Sequence, residues 1–351
     1  MDFNFDLFKK IVEAPGIPGR EAQLRQIVIE EMRPLVDDLR VDAIGNVIGT
    51  KKGSGGPRVM LAAHMDEIGF MVRFIDDNGF IRLQNVGGFD ARNLPAQRVW
   101  VHTRDGQKLP GALQLASKPI HTLSPEEIKP PKLADLFVDI GLSGEEAKQQ
   151  VDIGDMVTLM RPVERVGGNV MGKALDDRAS VFIMLETLRA VGQHGAEIVA
   201  VATTEEEVGL RGAGPAAYSV QPDVGIALDV TIAGDAPGMP AEDRVSKLGD
   251  GVAIKIFDSS HIPNYKLVRF VREVAEKHNI PHQLEVLPRG GTDAGAMERS
   301  RAGVPVITIS LPTRYLHTVN ETANVQDILS EIQLLARLLE EIHQGDFSLA
   351  S

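Results

Sequence analysis

Five groups of acidic and histidine residues could do chemistry together: His64 with Asp66, Asp176-Asp177, the run Glu205-Glu206-Glu207, Asp229 and His317. Imidazole and carboxylate are the usual oxygen and nitrogen donors to divalent cations, and a carboxylate can also serve as a general base. Each group lies just after an expected strand or in a turn leading to a helix. In an open parallel sheet the C-terminal strand ends line one crevice, where ligands bind. Carboxylates converging there would repel one another unless a cation neutralised them. A metal site is the economical reading of the set.

Within His64-x-Asp66, residues two apart on a continuing strand face the same way. Asp66 can then accept from the imidazole N–H, fix its tautomer and leave the other nitrogen for a metal. Alone, the pair also reads as a buried histidine with a surface acid. Asp176-Asp177 opens a helix and alone reads as an N-cap. Glu205-Glu206-Glu207 follows an apolar strand, where three adjacent acids repel in a buried turn; a solvated charge run is the alternative. Asp229, ending Gly225-Ile226-Ala227-Leu228, and His317, in Arg314-Tyr315-Leu316-His317-Thr318, prove little singly. The other histidines read as surface or satisfied core positions.

These groups need a scaffold, and the chain can supply one. Its 351 residues are 43% hydrophobic and 25% charged, the composition of a globular protein with a large core. A net charge of −12 argues against nucleic acid and anionic membrane as partners. With no cysteine, thiolate metal sites and disulfides are excluded. The start, MDFNFDLFKKIVE, lacks a basic segment followed by an apolar core, and no apolar run reaches the roughly 18 to 20 residues that span a bilayer. A cytoplasmic enzyme is the expectation.

Helical spacing of Leu24, Ile27, Val28, Met32 and Leu35 predicts a helix over Glu21–Asp38, followed by strands at Val41–Thr50 and Val59–Ala63. Between about Gly69 and Pro162 short β-type runs alternate with turn signals such as Asp77-Asn78-Gly79. Helices at Ala179–Val191, Asn264–His278 and about Val325–His343 then alternate with strands at Ile198–Ala202, Val224–Leu228, Val252–Phe257, Gln283–Leu287 and Val304–Ser310. The predicted fold is α/β: a mainly parallel sheet sandwiched by helices, formed by 1–69 and 163–351, with a mostly β domain inserted at 70–162.

The runs AAHMDEIGFMV, GKALDDR, EEEVGLRGA, ALDV, GGTDAGAM and RYLHT, in that order, resemble those of the tetrahedral, dinuclear metallo-aminopeptidases. That family includes deblocking and glutamyl aminopeptidases and members labelled endoglucanase. The resemblance covers essentially the whole chain. It implies that His64 and Asp229 ligate one divalent ion, Glu207 and His317 a second, and that Asp176 bridges them. Glu206 would be the general base for a water shared by the ions, and Asp66 would orient His64. Asp177 would follow an unusual peptide bond without binding metal. Gly291, Thr292 and Asp293 would face the substrate. The inserted domain would mediate dimerisation, with dimers assembling into a dodecamer. The ions would be Zn²⁺ or Co²⁺, with Mn²⁺ also compatible, and the substrates peptides with a free N-terminus.

Two other classes fit parts of the pattern. A glycoside hydrolase would use two carboxylates and survive chelation, but one Trp and three Tyr leave few platforms for sugar. A metal-stabilised scaffold would leave Glu206 without a purpose. The sequence does not select the preferred N-terminal residue, the native metal or the physiological substrate.

Overall fold

The computed structural model describes residues 2–350, apart from the side chain of Ile120. Helices α1 (Phe5–Glu13) and α2 (Ala22–Met32) open the chain. The helix predicted to reach Asp38 stops at Met32, because Pro34 tightens the next turn into a 3₁₀ segment, Arg33–Leu35. Strands β1 (Asp38–Val41) and β2 (Val47–Lys51) replace the single strand expected there. The Asp42 carboxylate accepts from the main-chain N–H groups of Ile44, Gly45 and Asn46 at 3.0 to 3.1 Å, closing an antiparallel hairpin.

After β3 (Arg58–His64) come β4 (Gly69–Ile75), β5 (Ile81–Val86), β6 (Arg98–His102), β7 (Lys108–Leu115) and β8 (Leu136–Asp139). Helix α3 (Gly144–Gln150) and β9 (Met156–Leu159) follow. Strands β4 to β9 close into a barrel in the order β4-β5-β8-β7-β6-β9. Its interior is apolar, with Phe70, Val72, Ile81, Val99, Val101, Leu113, Val138 and Val157 buried together. Full closure leaves this small sheet no open edge.

The chain returns through β10 (Glu164–Val166), β11 (Asn169–Gly172), α4 (Leu175–Ala190) and β12 (Glu197–Thr203). Next are α5 (Ala213–Val220), β13 (Val224–Ile232), β14 (Val252–Phe257), α6 (Tyr265–Lys277) and β15 (His282–Val286). Helix α7 (Ala294–Glu298), β16 (Val306–Arg314), β17 (Glu321–Asn324) and α8 (Val325–Glu341) complete the unit. The main sheet runs β1-β2-β12-β3-β13-β16-β17-β11-β10, with β14 and β15 branching from β16. Its centre, β12-β3-β13-β16, is parallel, and the flanks are mostly antiparallel.

Alternation along the central strands builds two cores. Val59, Leu61 and Ala63 of β3 face the layer of α1, α2, α4, α6 and α8, while Met60 and Ala62 face α5 and α7. Buried on both sides, such strands read as continuous apolar runs. In α6, Leu267, Val271, Val274 and Ala275 recur at helical spacing on the buried face, and Asn264 caps its first turn. Among the described residues no helix is long and apolar enough to cross a membrane.

Candidate metal centre at the strand ends

The parallel register places Thr203, the last residue of β12, beside His64, the last of β3. Asp229 lies on the neighbouring β13, opposite Ser310 of β16. The three loops leaving these strands therefore start from one side of the sheet, and α4 and the loop after β16 close the crevice. All five expected ligands converge on it.

Asp176 is central. Its Oδ1 lies 3.1 Å from His64 Nε2, and its Oδ2 lies 3.3 Å from His317 Nε2. His317 Nε2 is also 3.4 Å from Glu207 Oε1, and His64 Nε2 is 3.9 Å from Glu206 Oε2. One carboxylate thus faces two imidazoles with separate oxygens. Donor atoms of His64, Asp176 and Glu207 lie within 4.8 Å of one another, as do those of His64, Asp177 and Asp229. Imidazole and carboxylate at this density suit divalent cations such as zinc.

Each imidazole is held from behind. His64 Nδ1 donates to the Asp66 main-chain carbonyl at 3.0 Å, and His317 Nδ1 donates to the Gly88 carbonyl at 2.8 Å. A carbonyl only accepts, so Nδ1 carries the proton and Nε2 is directed to the crevice. Gly88 belongs to the loop that joins β5 to β6 of the barrel, so the barrel contributes to this site. The preceding Gly87 has φ +84°, and a Cβ there would come 2.5 Å from Ile68 Cγ2. Only glycine lets the loop approach this closely.

The Asp66 carboxylate does more than face the imidazole. Its Oδ1 lies 3.5 Å from His64 Nδ1, whereas its two oxygens accept from the main-chain N–H of Glu206 at 3.0 Å and Glu207 at 3.1 Å. The carboxylate satisfies the donors of the tight turn that follows β12, and the main chain of the same residue orients the imidazole. The side chain of Glu206, in contrast, makes no hydrogen bond among the described residues. Glu205 lies 3.7 Å from Arg211 and does not line the cavity.

Asp177 follows Asp176 through a cis peptide bond and accepts from His64 N–H with Oδ2 at 3.1 Å. Its Oδ1 is buried without a hydrogen-bond partner. Glu321, absent from the sequence reading, supports both sides: it accepts from His317 N–H at 2.8 Å and from Asp176 N–H at 3.2 Å. His317 sits at φ +59°, Tyr315 at +60°, and Glu205 and Leu210 at +57° and +56°. Such left-handed non-glycine residues cost roughly 1–2 kcal/mol each and cluster where surrounding contacts enforce them.

The electrostatics are those of buried acids and imidazoles crowded together. Burial, then repulsion from neighbouring acids, pushes Asp177 and Asp229 well above the usual carboxylate range. Burial likewise raises Glu206 well above it, and Glu207 above it. Burial opposes the charged form of His317, but Asp176 and Glu207 outweigh it and push it up to about 12. Burial raises Glu321 to about 8, with the Asp176 charge adding to it.

The crevice opens into a cavity of about 540 Å³ whose floor is His64, Asp176, Glu206, Glu207, Asp229 and His317. Gly291 and Thr292 line it as expected. Asp293 does not: it is buried and accepts from Thr203 Oγ1 at 2.6 Å. That contact braces the end of β12 from behind the crevice, because the main chain turns inward into α7.

A family model described as M42 glutamyl aminopeptidase matches residues 45–334. The lysyl aminopeptidase of Pyrococcus furiosus is 36% identical over 353 residues, covering 98% of this chain and 99% of the relative. Aminopeptidase APDkam598 from the archaeon Desulfurococcus kamchatkensis superposes with a TM-score of 0.92 at 40% identity, over 96% of this chain and 94% of the other. The Pyrococcus horikoshii TET1 peptidase, described as assembling into a tetrahedron or a large octahedral shell, superposes with a TM-score of 0.85 at 34% identity, over 96% and 99% of the two chains.

Proposed function

The chain belongs to the M42 glutamyl aminopeptidase family and is an aminopeptidase, and from that premise we propose that it removes N-terminal residues from peptides with a dinuclear divalent metal centre and Glu206 as general base. The observation that carries this reading is Asp176, whose two oxygens each face a different imidazole. In the proposed assignment His64 and Asp229 hold one ion, Glu207 and His317 the other, and Asp176 is shared. When bound, a pair of Zn²⁺, Co²⁺ or Mn²⁺ ions supplies Lewis-acid polarisation and lowers the pKa of water.

The chain's own residues do the rest. The main chain of Asp66 and of Gly88 fixes the two imidazoles, and the Asp66 carboxylate fixes the Glu206-Glu207 turn. Glu206 is then the carboxylate left free at the cavity floor, able to take a proton at Oε2 and return it to the leaving amine. Burial of the floor excludes bulk water and strengthens each of these contacts.

The barrel, residues 70–162 in this proposal, serves dimerisation, and the dimers build a closed homo-oligomer such as a dodecamer. The horikoshii TET1 assemblies support that reading.

Hydrolysis of free aminoacyl-peptides, their N-acetyl twins and a soluble glucan, before and after chelation, tests the activity. Only the free-amine peptides should be cleaved, with loss on chelation and return on adding Co²⁺ or Zn²⁺. Chelation-resistant glucan cleavage would overturn it. Glu206→Gln should keep its metal yet lose at least about 10²-fold in turnover. Near-normal turnover in a metal-loaded variant would remove Glu206 from the mechanism.

A further inference from the structure

Behind the cavity wall lies a set of charged groups that the chemistry above does not use. Lys255 of β14 and Glu285 of β15 sit opposite each other in the parallel ladder, wholly buried, with Lys255 Nζ donating to Glu285 Oε1. The same oxygen accepts from Thr231 Oγ1 at 2.7 Å. On its other side Lys255 Nζ lies 3.7 Å from Asp258 Oδ2, and Asp258 and His261 are buried as well. Burying ions is costly, and well-packed apolar residues in their place are often as stable or more so. Two oxygens of the set, Glu285 Oε2 and Asp258 Oδ2, even lack a hydrogen-bond partner among the described residues. Stability alone gives this network no purpose; what it supplies is fixed direction.

Asp258 is where it branches. Its Oδ1 accepts from Ser260 Oγ at 2.7 Å and from His261 Nδ1 at 3.0 Å. The first branch reaches the cavity wall through Ser260, whose Oγ accepts from Thr292 N–H at 3.2 Å. The second runs from His261 Nε2 to Thr308 Oγ1 at 3.3 Å, and from there to Thr292 Oγ1 at 2.8 Å. Asp258 therefore holds both the main chain and the side chain of one residue, Thr292. The neighbouring Gly291 packs so closely that a Cβ there would come 2.7 Å from Ser260 Cβ.

Both ends of the network surface in the cavity. Thr231 lines it from β13 and Thr292 from the segment before α7. Thr231 is two residues beyond Asp229 on the same strand, so the two side chains face the same side of the sheet. The chain Thr231–Glu285–Lys255–Asp258 thus ties the strand that carries Asp229 to the wall that carries Thr292.

Resting on the aminopeptidase reading, we propose that Asp258 and His261 are positioning residues, which act through Ser260 and Thr308 to hold the Thr292 wall at a fixed distance from the Thr231 wall and so set the cavity's fit to the peptide. Thr308→Val keeps the branched shape and removes the hydroxyl that joins His261 to Thr292. A displaced wall weakens substrate and transition state alike, so KM should rise about three- to tenfold, the scale of one lost hydrogen bond, with kcat within about twofold of wild type. The probe is the best-cleaved member of a series of free aminoacyl-p-nitroanilides. Thr308→Ser keeps the hydroxyl and should restore the wild-type KM, and metal content should be the same in all three proteins.

A bond that served stability alone would lower the melting temperature of Thr308→Val and leave KM where it was; that result overturns the proposal. So does a fall in kcat that tracks metal loss, since the network would then act on the metal centre rather than the wall. Should Thr308→Val fail to fold, His261→Asn cuts the same branch from the other side. It still donates to Asp258 but is too short to reach Thr308, and the same split between KM and kcat is expected. Calorimetric titration of the same anilide into metal-loaded Glu206→Gln protein, with and without Thr308→Val, reads binding without turnover, and equal affinities overturn the proposal. If the wild type cleaves no member of the series, the aminopeptidase reading falls by itself, and the titration alone decides on the network.

Discussion

The barrel and the crevice are built by opposite rules. Within the barrel strands and their connections, Thr103 and Thr158 are the buried polar residues among the described ones. Every other buried side chain there is apolar or small, so little in it must be paired to be tolerated. The crevice buries His64, Asp66, Asp177, Thr203, Asp229 and Glu321 within a few strand ends. Buried carboxylates beside one another destabilise the metal-free fold, and such an arrangement persists where a ligand is meant to resolve it. One region contributes stability; the other concentrates unresolved charge for use.

The sharpest test removes charge from the crevice. Asp229→Asn should lower activity at least about 10³-fold, since the proposed metal ligand and several kcal/mol of transition-state charge stabilisation would be lost together. Metal analysis should show reduced content. The metal-free variant should nonetheless unfold at a higher temperature than metal-free wild type at neutral pH. The sign follows from the raised folded pKa of Asp229. Above the unfolded value of 3.8 the native state binds more protons than the unfolded one, so stability falls as pH rises through that window. Removing the titration recovers it. Metal-free Asp229→Asn melting below wild type would break the contrast between the regions.

The barrel should answer the opposite way. Leu113 is fully buried among Val99, Val138 and Val157. Leu113→Ala should cost about 2–5 kcal/mol of stability, through lost transfer energy and a cavity. Metal content of the folded protein should stay at the wild-type level, because Leu113 contacts no ligand. Denaturant unfolding read alongside metal analysis checks both halves, and metal loss without loss of stability would overturn the assignment.

How much of this was legible in the sequence differs between the regions too. Strand-end clusters betray themselves locally: His64, Glu206, Glu207 and Asp229 sit beside apolar runs with the wrong polarity for a core. The barrel was readable as β from its turn signals, since hairpin chemistry is local. What stayed hidden was long-range. Glu321 reaches Asp176 across 145 positions, and Gly88 reaches His317 across 229. Nothing within a few residues of Glu321 or Gly88 marks them, because their roles exist only once the sheet and the barrel loop are folded together. The second role of the Asp66 carboxylate was hidden for the same reason. Its main-chain carbonyl competes for the imidazole, and the turn donors of Glu206 and Glu207 come from another strand.

The smallest expected effect lies at a half-buried histidine of the barrel. His102 of β6 bonds Thr158 Oγ1 at 2.9 Å, and burial, with the Lys108 charge, holds its pKa down at about 4 against 6.5 in the free side chain. Between those values the unfolded chain takes up a proton that the folded barrel refuses. Stability therefore falls as pH drops from 6.5 towards 4, and is regained above 6.5. Allowing for partial solvent access, the slope should amount to about 1–2 kcal/mol across the window. His102→Gln keeps a donor for Thr158 and cannot titrate, so its stability should lose that part of the acid dependence while metal content at neutral pH stays the same. A chelated sample must be used, because protons would also compete with metal at the proposed ligands His64 and His317. An unchanged slope in His102→Gln would mean that His102 carries none of the acid response and that its burial does not hold it neutral in the folded barrel.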